Sequence, residues 1–111
     1  MALKRPISEQ DAFLRLSARC AMGEHCEADV RRMMQRWELP DGAADRIVCR
    51  LGEERYIDER RFAHAFVRDK FRYNRWGKMR IERELRLKGI AAAVVAFVSI
   101  SSISHLLTNV R

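Results

Sequence analysis

Apolar residues along this chain recur every three or four positions in most windows, and they rarely alternate with polar residues. That spacing places them on one face of an α-helix, so the pattern predicts an all-α fold without a sheet. Six helices are expected. The first helix spans 8–22, the second begins at His25 or Cys26 and ends before Pro40, and the third begins at Pro40 and Asp41. The fourth spans 58 to about 74, the fifth runs from beyond Gly77 to Lys88, and the sixth begins at Ile90.

Residues typical of helix ends delimit these segments. Ser8 lies three positions before Asp11, which resembles a capping box, and Gly23 is placed where a left-handed helix stop belongs. Pro40 disfavours helical geometry at the residue before it, so the second helix must end there. The apolar stripe expected on that second helix consists of Val30, Met33, Met34 and Trp37.

The two halves of the chain share one apolar phase when the sequence is shifted by 51 positions. The aligned pairs are Ala12 with Ala63, Leu16 with Val67, Val30 with Ile81, Met34 with Leu85, Leu39 with Ile90, Ala43 with Val94 and Ile47 with Val98. We therefore expect a single helical domain, 1–111, of two tandem three-helix repeats, 8–54 and 55–107, stacked into a curved array. The alternative is that any two sets of amphipathic helices can be slid into phase.

The fourth helix has two contrasting faces. Phe62, Ala63, Phe66, Val67 and Lys70 fall on one side, while Arg61, Arg68 and Arg72 line up on the other. Aromatic residues four positions apart on a helix usually pack inward, so we expect Phe62 and Phe66 to be buried. Ile81 and Leu85 of the fifth helix should complete that core.

The charge of the chain is concentrated in one stretch. The formal net charge is +7, and residues 55–90 hold twelve Lys/Arg against five Asp/Glu, whereas the remaining residues cancel. Such an excess favours an anionic partner over a merely solvated face, on which both signs are usually mixed. Arginine outnumbers lysine there, and its planar guanidinium suits phosphate or carboxylate.

The candidate binding residues all lie in that stretch. They are Arg61, Arg68, Arg72, Arg75, Trp76, Lys78, Arg80, Arg83, Arg86 and Lys88. The arginines of the fourth and fifth helices are expected to form a continuous basic surface. Trp76 either wedges between the repeats or contacts the partner.

Enzymatic and metal chemistry find little support in the sequence. The three cysteines are odd in number and lie in apolar-periodic stretches, which indicates a reducing compartment and a cytoplasmic location rather than a disulfide scaffold. Cys20, His25 and Cys26 match no zinc-ligand spacing, and no glycine-rich phosphate loop or paired nucleophile and base is present. The N-terminus lacks the apolar segment of a signal peptide. We expect no cofactor, a monomer, and a protein that acts by binding.

Two motifs resemble the RecX family of regulatory proteins: YIDERRFAHAFV at 56–67 and GKMRIERELRLKGI at 77–90. The residues in register are Asp58, Arg61, Phe62, Ala63, Val67, Gly77, Arg80, Ile81, Glu84, Leu85, Lys88, Gly89 and Ile90. AFLRLSARC at 12–20 and the helices after it are more loosely similar to the first repeat of that family. The resemblance implies tandem three-helix repeats and a regulator that binds the RecA recombinase and its filament on single-stranded DNA, inhibiting recombinase and ATPase activity.

The C-terminal stretch departs from that family. Residues 91–110 contain no Asp, Glu, Lys or Arg, and the charged third repeat of the family is missing. We expect a short or altered member rather than a transmembrane segment, because four serines and a histidine interrupt the stretch. Two alternatives to the RecA regulator remain. One is an autonomous basic helical module that contacts DNA phosphates directly and does not need RecA. The other is a structural adaptor for an acidic protein.

Overall fold

The fold is almost entirely helical over residues 3–99, which are the residues that the computed structural model describes. In chain order the elements are β1 (Arg5–Pro6), α1 (Glu9–Met22), α2 (Glu27–Met34), β2 (Trp37–Glu38), α3 (Ala43–Glu53), α4 (Glu59–Arg72), α5 (Lys78–Leu87) and α6 (Ala92–Val98). The chain divides into two compact units, Met1–Asp58 and Glu59–Arg111. The all-α prediction is confirmed. No described helix is long and apolar enough to cross a membrane, and most of the C-terminal stretch 91–111 lies outside the described residues.

The first unit packs α1 and α2 against α3. Its core consists of Ala12, Phe13, Leu16, Cys20, Val30, Met34, Ala43, Ile47, Val48 and Leu51. Ser8 caps α1 as expected, because the backbone N–H of Asp11 donates a 3.1 Å hydrogen bond to the Ser8 hydroxyl. The apolar period of three and four therefore produced the predicted buried face.

A two-residue strand pair in the first unit contradicts the expectation of a fold without a sheet. Arg5 and Pro6 of β1 run parallel to Trp37 and Glu38 of β2. The backbone N–H of Ile7 also donates to the carbonyl of Glu38 at 3.2 Å. Trp37 thus leaves helix α2, on which it was predicted, although its half-buried side chain still packs on the core.

Two helix ends of the first unit differ from the prediction. Gly23 follows α1 in an extended conformation, with φ −179°, so it is not a left-handed stop. Helix α3 begins at Ala43 rather than at Pro40 and Asp41, because Gly42 before it adopts φ 75°, a left-handed value that interrupts a helix. Cys26 is the N-cap of α2, so the start near that residue is confirmed.

The second unit packs α4, α5 and α6 against one another. Phe62, Ala63 and Val67 of α4 are buried, as are Ile81 and Leu85 of α5. Phe66 is only half-buried, so its predicted full burial is wrong. Its ring lies at the edge of the core beside Phe62, at 5.8 Å between centroids, and close to the turn between α4 and α5.

Burial repeats between the units at the 51-residue shift. Both members are buried in five of the aligned pairs: Ala12 with Ala63, Leu16 with Val67, Val30 with Ile81, Met34 with Leu85, and Ile47 with Val98. Leu39 and Val94 are half-buried, while their counterparts Ile90 and Ala43 are buried. The shared apolar phase therefore corresponds to a shared pattern of buried positions.

One side-chain contact within the first unit has a counterpart of different chemistry at the shifted positions within the second unit. In the first unit, the guanidinium of Arg46 on α3 binds the carboxylate of Glu9 on α1. At the shifted positions, the guanidinium of Arg60 on α4 lies 5.1 Å from the ring centre of Phe97 on α6. An ion pair in one unit is thus replaced by a cation–π contact in the other.

Candidate functional site

Three arginines form an exposed row along α4. Arg61, Arg68 and Arg72 are spaced by seven and four residues, which places them on one side of the helix. Ala63 and Val67, both fully buried, lie on the opposite side. The predicted exposure of this α4 row is confirmed, while its role in binding stays a prediction.

Helix α5 presents a second pair of arginines to solvent. Arg83 and Arg86 are exposed beside Met79, whereas Ile81 and Leu85 on the other side of the helix are fully buried. The guanidinium of Arg83 lies 3.7 Å from the carboxylate of Glu84, its neighbour in sequence. This α5 pair and the α4 row lie on different helices, and their union into one continuous surface remains a prediction.

Two cations and a second aromatic ring lie close to Trp76 at the turn between α4 and α5. The guanidinium carbon of Arg80 lies 3.9 Å from the centre of the Trp76 ring, and the ammonium of Lys70 lies 4.9 Å from it. The Phe66 ring meets the indole edge-on, at 6.2 Å between centroids. We call Phe66, Lys70, Trp76 and Arg80 the Trp76 cluster.

The backbone fixes Trp76 in that position. Its N–H donates a 2.9 Å hydrogen bond to the carbonyl of Lys70, which folds the turn back on the end of α4. Because Lys70, Arg80 and Phe66 all lie close to the indole within the second unit, the contacts support a structural role for Trp76, while the predicted wedge between repeats stays a prediction. Lys70 was missing from the predicted site, because a helical projection of α4 assigned it to the core side.

The remaining predicted site residues lie at the two ends of α5. Arg75 and Lys78 are exposed in and just after the turn, while Lys88 at the C-terminal end is half-buried. The ammonium of Lys88 lies 5.8 Å from the ring centre of Phe62, so this lysine also covers the core. Lys88 therefore has a structural contact that its place in the motif did not reveal.

Four arginines of the first unit are, by contrast, paired with carboxylates across helical turns and between helices. These pairs are Arg31 with Glu27 and Asp45, Arg32 with Asp29, Arg46 with Glu9, and Arg50 with Glu54. The hydrogen bond from Arg46 lowers the pKa of Glu9, and the hydrogen bond to Glu27 raises the pKa of Arg31. The positive charge of this unit is thus largely neutralised within the unit itself.

In the part of the second unit that the structure describes, several arginines lack an ion pair with another helix. Arg68 lies 3.5 Å from the carboxylate of Asp69, again a neighbour in sequence. Within residues 3–99, Arg72, Arg80 and Arg86 form no ion pair. The positive charge of these guanidinium groups is therefore available to an anionic partner in solution.

Among the described residues, no three His, Cys, Asp or Glu side chains lie together as metal ligands. Cys20 and Cys26 are buried, and the exposed Cys49 donates a hydrogen bond to Glu53, which raises the pKa of the thiol.

Comparison with known proteins places the basic unit in a family. Residues 58–97 match the family model described as RecX, second three-helix domain. The chain is 36% identical over 86 residues to the regulatory protein RecX of Halorhodospira halophila (strain DSM 244 / SL1), covering 78% of this chain and 51% of that protein. It is 31% identical over 72 residues to the regulatory protein RecX of Chlorobium phaeobacteroides (strain BS1), covering 65% and 48% of the two chains.

No solved structure matches the chain. The chain spans about half the length of the curated relatives it matches. The matched segment begins at Asp58 and ends within α6, so it coincides with the unit whose arginines face solvent. The chain therefore belongs to the RecX family.

Proposed function

We propose that this protein is a regulator that binds the RecA recombinase in its filament on single-stranded DNA and inhibits strand exchange and ATPase activity. It acts by binding and not as an enzyme. Two relatives named as regulatory proteins support the regulatory role. The observation that carries the proposal is the basic character of α4 and α5, where Arg72, Arg80 and Arg86 form no ion pair within residues 3–99.

Arginine is suited to both components of such a filament. Its guanidinium forms bidentate hydrogen bonds with the carboxylates of a protein and with the phosphates of DNA. A surface occupied in this way would obstruct the addition of subunits or the exchange of strands. The α4 row and the α5 pair supply these guanidinium groups.

A charge-removal variant tests the proposal. Arg68→Ala, Arg83→Ala and Arg86→Ala together remove three exposed cations of the second unit. The matched control removes three exposed cations of the first unit, through Arg15→Ala, Arg19→Ala and Arg36→Ala. Both variants are first checked for native helicity by circular dichroism.

Inhibition of RecA-driven strand exchange is then measured for the parent and both variants. The parent and the control are expected to inhibit, while the second-unit variant inhibits weakly or not at all. Unchanged inhibition by the folded second-unit variant would refute the basic-surface mechanism. A parent that fails to inhibit would refute the inhibitory function for this chain.

The alternative function, a DNA-binding module that acts without RecA, predicts a different salt dependence. Phosphate contacts release counterions, so each arginine lost should reduce the salt slope of binding to single strands by about 0.7. Contacts with protein carboxylates would give a shallower slope and no binding to bare DNA. Twelve consecutive residues without an acid, at 70–81, are the observation that keeps this alternative open.

A further inference from the structure

The turn between α4 and α5 combines the densest positive charge of the chain with exposed aromatic surface. Residues 70–81 contain no Asp or Glu, and we call this segment the basic turn. Its cations are Lys70, Arg72, Arg75, Lys78 and Arg80. A segment needed only for solubility would carry both signs, so this one is suited to a polyanion.

Arg75 occupies a backbone conformation that a side chain rarely adopts. Its φ is 57°, in the left-handed region that favours glycine. Arg55, with φ 61°, is the other non-glycine residue with positive φ in the described part of the chain. Non-glycine residues persist in this region only where something compensates the strain, and such residues cluster at binding sites.

Both arginines with positive φ are exposed and lie beyond the end of a helix. Arg55 follows α3, where its N–H and that of Tyr56 donate to the carbonyls of Gly52 and Leu51 and close the helix end. Arg75 is exposed, and within residues 3–99 its side chain forms no ion pair or hydrogen bond. The N–H of Trp76, the next residue, donates to the carbonyl of Lys70, so Arg75 also lies where the chain closes a helix end, and its exposed guanidinium belongs to the basic turn.

Tyr73 supplies an aromatic ring to the same segment. Its side chain is 73% exposed, and within the described residues its ring packs on no other ring. Trp76, three positions on, is instead held inside the Trp76 cluster. Within the basic turn, Trp76 is therefore held by contacts with other side chains, whereas the Tyr73 ring is exposed to solvent.

We propose that the basic turn binds a single strand of nucleic acid directly, with Arg72, Arg75 and Lys78 on the phosphates and Tyr73 stacked on a base. Cations along a backbone path combined with an exposed aromatic ring are the features that proteins use to bind single strands. A duplex keeps its bases stacked inside, so it offers phosphates but no face to Tyr73. This inference deepens the proposed function by locating its DNA contact, and it rests on that function only for its setting in a filament.

Binding is measured by fluorescence anisotropy with labelled single strands at low salt. One probe is an oligothymidylate of about twenty nucleotides, longer than a typical site. The second has the same number of phosphates but lacks bases, and the third is an oligouridylate that tests whether DNA and RNA share the site. The parent should bind the oligothymidylate more tightly than the abasic strand.

Tyr73 variants separate stacking from charge. Tyr73→Ala should weaken binding to the oligothymidylate at least about fivefold, the lower end of a base–aromatic stack, and leave the abasic strand unaffected. Tyr73→Phe keeps the ring and should bind as the parent does. Equal binding of Tyr73→Ala and the parent to the oligothymidylate would overturn the stacking role.

Glycine variants separate binding from stability. Arg75→Gly should reduce the salt slope by about 0.7 for one lost phosphate contact, while its melting temperature stays equal or rises because the strain is released. Arg55→Gly is the matched control: it loses the same charge from the same backbone conformation and should bind as the parent does. Equal salt slopes for Arg75→Gly and the parent would refute the phosphate role of Arg75.

The parent's behaviour distinguishes this inference from the proposed function. A parent that fails to bind the bare oligothymidylate would overturn the inference, whatever it does to RecA. A parent that binds the bare strand through Tyr73 and Arg75 but leaves strand exchange unchanged would support the inference and refute the RecA regulator.

Discussion

The contact between Arg80 and Trp76 should stabilise the second unit by a measurable coupling free energy. The guanidinium carbon lies 3.9 Å from the indole centre, well within cation–π range. Arg80 is exposed and Trp76 is half-buried, so the coupling should be near the surface value of about 0.5–1 kcal/mol. Trp76→Ala should lower the free energy of unfolding more than Arg80→Ala does, because it also removes the contacts of Trp76 with Phe66 and Lys70.

A double-mutant cycle isolates that coupling. The parent, Arg80→Ala, Trp76→Ala and the double variant are unfolded in urea, and the transition is followed by circular dichroism because Trp76 itself is changed. The coupling is the difference between the cost of the double variant and the sum of the single costs.

Arg83 provides the matched control. It is exposed on the same helix, and in the described part of the chain it lies over no aromatic ring. A cycle between Arg83 and Trp76 should therefore give a coupling close to zero. A coupling close to zero for Arg80 as well would refute the assignment of Trp76 as an intramolecular anchor, and Trp76 would return to the group of free contact residues.

Two further predictions concern the cores and pH. Phe62→Ala should cost about 3–5 kcal/mol and Phe66→Ala only about 2 kcal/mol, because Phe62 is 6% exposed and Phe66 is half-buried; equal costs in urea unfolding would contradict the structure. Arg46→Ala should raise the pKa of Glu9, since the lowered pKa depends on hydrogen bonds from Arg46. A depressed acid stabilises the fold above its ordinary pKa of 4.5, so the melting-temperature advantage of the parent over Arg46→Ala should shrink as pH falls below that value. An NMR titration in which the Glu9 pKa does not move would contradict the pairing.

The helices and most of the core could be predicted from the sequence, because apolar residues spaced by three and four positions lie on one face of a helix and that face is the one that becomes buried. Ala12 and Ala63, or Val30 and Ile81, are buried for that reason in both units. Helix ends were less predictable: a glycine after a helix can close it in a left-handed conformation, as Gly89 does at φ 86°, or leave it extended, as Gly23 does.

Long-range contacts lay beyond the sequence pattern. The strand pair joins residues that are 32 positions apart and involves two residues on each strand, too few to produce an alternating pattern. The Trp76 cluster depends on the path of the turn, which returns Trp76 to Lys70. A helical projection of α4 contains no information about that path, so it assigned Phe66 to the core and left Lys70 out of the site.

Co-sedimentation with RecA filaments tests the central claim most directly. Filaments assembled on single-stranded DNA are pelleted with the parent, with the variant lacking Arg68, Arg83 and Arg86, and with the control lacking Arg15, Arg19 and Arg36. The parent and the control should pellet with the filaments, and the second-unit variant should stay in the supernatant. A parent that stays in the supernatant, or a second-unit variant that pellets as the parent does, would contradict the claim that the basic second unit binds the filament.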